Sequence, residues 1–140
     1  MPEQSNEQHI RSQRINRLIE VFGKKVNYLE IGVETGKTLF AVNAATRVGV
    51  DPFPAFSGQN IPSDVQFHAK TSDVFFDELE PSRSFDIVLV DGLHHWQQAL
   101  LDIQNSFSRL EPGGIVLVDD ILPIDEVSAH PSETFARQDR

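Results

Sequence analysis

Two hydrophobic periods alternate along this chain. Ile15, Leu18, Ile19 and Phe22 recur at the spacing of one helical face. Ser5 with Gln8 offers a capping box and Gly23 a stop, so the pattern predicts a helix over about 6–22. Residues 26–31 are a short apolar run ended by Gly32, the signature of a buried strand. Residues 37–45 are helix-compatible, and TRVGVD at 46–51 is a second strand closed by Pro52 and Pro54. Residues 52–64, rich in Pro, Gly and Ser, predict a loop. VQFHAK at 65–70 is a weaker third strand, and SDVFFDELE at 72–80 a helix with Ser72 as N-cap. SFDIVLVD at 84–91 is the clearest strand. Trp96, Ala99, Leu100, Ile103, Phe107 and Leu110 then recur at helical spacing, predicting a core-facing stripe on a helix from about residue 94. Gly113 and Gly114 break it before IVLVDD, the last strand at 115–120. The polar stretch 124–140 has no period and reads as a tail, leaving one domain over 1–123 with its N-terminal helix within 1–23.

Apolar strands alternating with amphipathic helices predict a parallel sheet covered on both faces. The right-handed crossover rule makes this a Rossmann-like, doubly wound α/β fold of about five strands, in order 3-2-1-4-5. Ligands in such sheets sit beyond the carboxyl ends of the strands. Here those ends are Glu30 to Gly36, Asp51, Lys70 to Asp73, Asp91 to His95, and Asp119-Asp120. Four of the five carry an acid at the terminus, although polar residues commonly follow strands in any case.

Composition narrows the classes. The 140 residues suit one domain, and 39% hydrophobic content is enough for a core. The absence of cysteine excludes disulfides, zinc thiolates and thiol catalysis. Twelve basic against 21 acidic residues give a net charge of −9, which repels a phosphate backbone and argues against nucleic acid. The first residues have no apolar core of a signal peptide, and no apolar run approaches a membrane span. A cytoplasmic domain without a membrane partner is the expectation.

YLEIGVETGKT at 28–38 is the richest stretch. Its GKT suggests a phosphate loop, but that loop needs four residues between its glycines, and Gly32 and Gly36 are separated by three. IVLVDD imitates the companion strand and keeps a nucleotide hydrolase as an alternative. The dinucleotide fingerprint also fails, because Glu34 stands at its second glycine. What remains is E-x-G-x-x-x-G, with Asp51 at the end of the next strand. A carboxylate there suits two ribose hydroxyls. The combination points to a nucleoside without phosphates.

LEIGVETG at 29–36, VGVD at 48–51, KTSD at 70–73, FDIVLVDGLHHW at 85–96 and LEPGGIVLVDD at 110–120 together resemble the class I S-adenosylmethionine-dependent methyltransferases. Within that family they look most like the small-molecule O-methyltransferases of the catechol and macrocin types. The resemblance implies that Glu30, Gly32 and Gly36 line the methionine part of S-adenosylmethionine and that Asp51 holds its ribose. It places Ser72 and Asp73 near the adenine, and Asp91 beside the sulfonium and the acceptor. The alternative for the glycines is a tight strand-to-helix turn.

In the metal-dependent members, Asp91, Asp119 and Asp120 correspond to ligands of a divalent cation. All-oxygen ligands suit Mg²⁺, or Mn²⁺ or Ca²⁺, which would lower the pKa of an acceptor hydroxyl. The alternative has only Asp91 facing the cleft. His94 corresponds to the histidine of D-G-x-H and is a candidate general base beside Asp91; a capping role for the histidine pair is the alternative. No lysine base of the catechol type is present. His68 reads as structural, and Trp96 as core in preference to an adenine stack.

The family's sheet has seven strands, and about twenty residues after Asp120 are too few to complete it. The fifth strand is then an edge, which predicts a homodimer or larger assembly unless the tail covers it. Three classes stay open: a small-molecule O-methyltransferase, a truncated non-catalytic S-adenosylmethionine-binding core, and another nucleotide-handling α/β protein.

Overall fold

A computed structural model describes residues 2–91 and 95–119, with side chains from His9 onward. Helix α1 (Pro2–Phe22) leads into strand β1 (Asn27–Ile31), helix α2 (Lys37–Ala41) and strand β2 (Thr46–Val50). Strand β3 (Val65–His68), helix α3 (Ser72–Glu78), strand β4 (Phe85–Val90), helix α4 (Trp96–Ser108) and strand β5 (Leu110–Val118) follow. The strands form one sheet in the order β3-β2-β1-β4-β5, and every pairing is parallel. The Rossmann-like doubly wound sheet expected from the pattern is therefore the fold.

Each strand divides its side chains between the two faces, as a pleat requires. Tyr28, Ile87 and Leu89 join Ile15 of α1 and Leu39 of α2 in one core. Leu29, Ile31, Val48, Val50, Val88 and Val90 join Phe75 and Phe76 of α3 in the other. The 52–64 segment is a loop with one 3-10 turn at Gly58–Asn60. It closes the α2 side through Phe56, whose ring packs edge-on against Phe40 and Phe67 at centroid distances of 5.3 and 4.9 Å.

Several local expectations shift. Helix α1 is already formed at Pro2, so Ser5 and Gln8 do not mark its start; it ends where Gly23 takes φ 63°. Helix α2 stops at Ala41, short of residue 45, because Arg47 of β2 reaches back to its final carbonyls: Nη1 donates to Phe40 O at 2.8 Å. Thr71, not Ser72, caps α3, accepting from the Val74 N–H. Strand β5 begins at Leu110, five residues early, with a bulge between its Leu110 and Ile115 pairings to β4. Gly113 takes φ 81° in that bulge, so the two glycines bend the strand without ending it.

The stripe on α4 is the largest correction. Trp96, Leu100 and Phe107 are 55%, 46% and 60% exposed, while Asp102 and Ser106 are buried. At about 100° per residue the buried face lies roughly a quarter turn from the apolar stripe. Polar bonds fix that rotation. Asp102 accepts from Ser72 Oγ of α3 at 2.5 Å and from Gln98 Nε2 at 3.0 Å, and Ser106 Oγ donates to the Asp102 carbonyl.

Candidate functional site

The strand ends gather a group of acids on the α1 side of the sheet. The first comes from β1. Tyr28 and Glu30 lie two residues apart and share a face, and both are fully buried. Tyr28 Oη donates to Glu30 Oε1 at 2.7 Å. Burial pushes the Glu30 carboxyl up to about 8; the Tyr28 bond and the charge of Arg11 oppose this, while Asp91 and Asp51 add to it.

The chain then turns. Gly32 and Gly36 take φ 86° and 81°, the left-handed region that glycine tolerates. A Cβ at Gly36 would lie 2.5 Å from the Phe40 ring, so the turn is also sterically closed to larger residues. Glu34, where a dinucleotide turn would carry glycine, takes φ 52°. A non-glycine residue held there costs on the order of 1–2 kcal/mol. What holds it is Asp51: the Glu34 N–H donates to Asp51 Oδ2 at 2.8 Å. The Ala55 N–H in turn donates to the Glu34 carbonyl at 2.8 Å. Lys37 begins α2 and Thr38 lies buried within it, so GKT starts a helix as the loop spacing implied.

Asp51 follows β2. Its Oδ1 accepts from the Phe53 N–H at 2.8 Å, so two backbone donors fix both carboxylate oxygens. Each oxygen keeps a further lone pair, enough to accept from two hydroxyl donors. The residues 30–36 and 51, some twenty positions apart, are thus one unit.

Asp91 and Asp119 stand side by side, each one residue beyond the β4–β5 register pair Val90 and Val118. Their N–H groups donate to Ile31 O and Val90 O at 2.8 and 3.0 Å, which continues the ladder and fixes both backbones. Arg11 of α1 lies between them. Its Nη1 donates to Asp91 Oδ2 at 2.6 Å and to Asp119 Oδ2 at 2.5 Å. Burial raises the Asp91 carboxyl to about 6; Arg11 opposes the rise, and Asp119 and Glu34 add to it. Nothing in the sequence pattern singled out Arg11, because it lies 80 and 108 positions from its partners.

Ser72 and Asp73 sit elsewhere in the constellation. The Ser72 hydroxyl is given to Asp102, and Gln98 Nε2 donates to Asp73 Oδ1 at 3.2 Å, tying α3 to α4. His94 and Asp120 lie outside the described residues, as does the stretch from 124 to 140. His95 holds the N-cap position of α4, which begins at Trp96. His68 is half-buried with its ring 5.2 Å from Phe75, consistent with a packing role.

Among the described residues no three His, Cys, Asp or Glu side chains converge as a metal cage. Asp91 and Asp119 already face one guanidinium. A groove of about 380 Å³ opens beside β3, lined by Val48, His68, Lys70 and Phe75 among others. It contains none of the acids gathered at the strand ends, and an ion pair between Lys70 and Glu78 (2.6 Å) stands among its lining residues.

The acid set suits a cationic, hydroxyl-bearing ligand. Glu30 keeps its proton near neutral pH, yet Asp51, Asp91 and Asp119 still outnumber Arg11, and the described residues form no phosphate cradle. This agrees with a sulfonium nucleoside and disagrees with a nucleoside polyphosphate.

Comparison with known proteins bears on the same segment. The profile of a family described as a methyltransferase domain matches residues 29–121. No curated protein matches the chain. Among solved structures, the N-methyltransferase NodS from Bradyrhizobium japonicum WM9 is similar, with TM-score 0.57 and 21% identity. The match covers 81% of this chain and 66% of that one, so the chain spans less than two thirds of the NodS structure.

Proposed function

Because the chain belongs to this methyltransferase domain family, we propose that it transfers a methyl group from S-adenosylmethionine to a small molecule. The observation that carries the reading is the Glu30–Gly36 turn locked to Asp51 through the Glu34 N–H. It places a fixed carboxylate and a glycine turn at the end of adjacent strands, where such sheets take their ligands.

Bound there, S-adenosylmethionine would supply an electrophilic methyl on a cationic sulfur. The chain's own residues do the rest. Asp51 accepts from the ribose hydroxyls, and Gly32 and Gly36 bring backbone close to the methionine portion. Glu30 supports the turn from beneath. Ser72 and Asp73 border the adenine side. The field of Asp91 and Asp119 favours the cationic donor over the neutral thioether left after transfer, which assists product release. Asp91, with His94 beside it in sequence, accepts the hydrogen bond of the acceptor and then its proton. The acceptor group is a hydroxyl in this reading. NodS acts on nitrogen, so amines belong in the same acceptor panel.

A second copy of the chain is the proposed partner. The described residues leave one edge of β5 unpaired. The side of α4 toward α3 carries Gln98 and Asp102, so the exposed Trp96, Leu100 and Phe107 face away from α3. A twofold axis at β5 would pair the edges and cover both stripes at once.

Calorimetry with S-adenosylhomocysteine tests the donor site. Binding is expected, weakened about 10-fold or more in Asp51→Ala, which loses the ribose acceptor and frees the turn. Absence of heat and of any thermal shift at millimolar ligand would remove the methyltransferase reading. Binding without turnover on both hydroxyl and amine panels would favour a non-catalytic binding core.

A further inference from the structure

We propose that Arg11 is a built-in cation for the Asp91–Asp119 pair, filling the position where these carboxylates would otherwise hold a divalent metal, so that the site works without one. The inference concerns the cleft of the proposed function but rests on the ion pair, not on that activity.

Three observations support it. First, the two carboxylates are placed by the sheet and not by Arg11. Asp91 and Asp119 extend neighbouring parallel strands in register, so their side chains leave the sheet on one face, and each backbone is fixed by its own ladder bond. Second, one atom stands between them. Arg11 Nη1 lies 2.6 and 2.5 Å from the two Oδ2 atoms. Calcium takes carboxylate oxygens at about 2.3–2.6 Å and magnesium at about 2.0–2.1 Å. The two oxygens thus reach one point at distances calcium accepts, and a small inward shift would suit a smaller divalent ion; the guanidinium nitrogen holds that point.

Third, α1 delivers Arg11 through packing that does not involve the acids. Ile15, one turn later on the same face, is buried in the core. Asn16 bridges to α2: its Nδ2 donates to Ala41 O at 3.0 Å and its Oδ1 accepts from the Asn43 N–H at 2.7 Å. The cation is thus part of the fold and arrives with it. A guanidinium cannot lose its proton at working pH, so the charge is permanent. It also cannot act as a Lewis acid on an acceptor oxygen, which leaves proton removal to side chains.

The test is Mn²⁺ binding by electron paramagnetic resonance to the wild-type chain and to Arg11→Ala, Arg11→Lys and Arg11→Ala/Asp119→Asn, each checked for folding by circular dichroism. The wild type is expected to bind no Mn²⁺ at millimolar concentration. Arg11→Ala should gain one site at least ~10-fold tighter than any wild-type binding, because a unit charge has been removed from between two carboxylates. Arg11→Lys should resemble the wild type, and the double variant should lose the gain. Arg11→Met, which keeps the aliphatic packing, replaces Arg11→Ala if that variant does not fold. The proposal fails if the wild type binds Mn²⁺ as tightly as Arg11→Ala, or if a folded Arg11→Ala binds none. S-adenosylhomocysteine calorimetry on the same samples keeps the two ideas separate: loss of that binding in the wild type would sink the activity and leave the metal result standing.

Discussion

Glu30 should make the stability of this protein fall as pH rises. Its carboxyl stands at about 8 in the folded chain against 4.5 as the ordinary value, chiefly through burial. Between those values the folded state binds the proton and the unfolded state does not. Stability from this group is therefore fully present below pH 4.5, declines through the window, and is gone above about pH 8. At about 1.36 kcal/mol per unit, the full decline is on the order of 5 kcal/mol, a large part of a typical small domain's stability. Asp91, raised to about 6 from 3.8, adds a smaller decline of the same sign at lower pH. Glu30→Gln keeps the shape, still accepts from Tyr28 Oη, and cannot ionise. Urea unfolding followed by circular dichroism from pH 5 to pH 9 reads both chains. The variant should gain on the wild type steadily toward pH 8 and then run parallel to it. A constant difference across the whole range would refute the reasoning, because it would mean that Glu30 ionises as easily folded as unfolded.

Two further outcomes follow from packing. Gly49 of β2 lies under α2: an added Cβ would sit 2.5 Å from Leu39 Cδ2 and 3.0 Å from Val33 Cγ2. Leu39 is fully buried and cannot swing aside, so Gly49→Ala should cost roughly 1–3 kcal/mol in chemical denaturation, and a loss under about 0.5 kcal/mol would show that α2 shifts freely. Sedimentation at micromolar concentration should give a dimer mass, weakened at least ~10-fold by Trp96→Ser with Phe107→Ser. A monomeric wild type would remove the proposed β5 interface.

Much of the candidate site's geometry was legible because its parts are local. The Gly32–Gly36 spacing, the acid at Glu30 and the acid at Asp51 are each tied to a strand end, and strand ends can be read from a run of apolar residues. The structure added that Asp51 clamps the turn itself, through a Glu34 N–H that no side-chain pattern encodes. The α4 stripe misled for a related reason. Periodicity finds an apolar face, but here the Ser72–Asp102 bond and the buried Ser106 turn a polar face to the sheet and leave Trp96 outside. The bulge at Gly113 likewise hid the first half of β5, since glycines signal a break in pattern and not which kind of break.

By itself, then, the sequence determined the element order, the parallel sheet and the end of it that carries the candidate site. Each of these follows from short-range spacing and from the handedness of chain crossovers. Only the tertiary structure decided which charges meet there. Arg11 reaches Asp91 and Asp119 across most of the chain, and a contact between residues so far apart leaves no period to read. Whether two acids at neighbouring strand ends hold a metal, a substrate or an arginine depends on what the fold places against them.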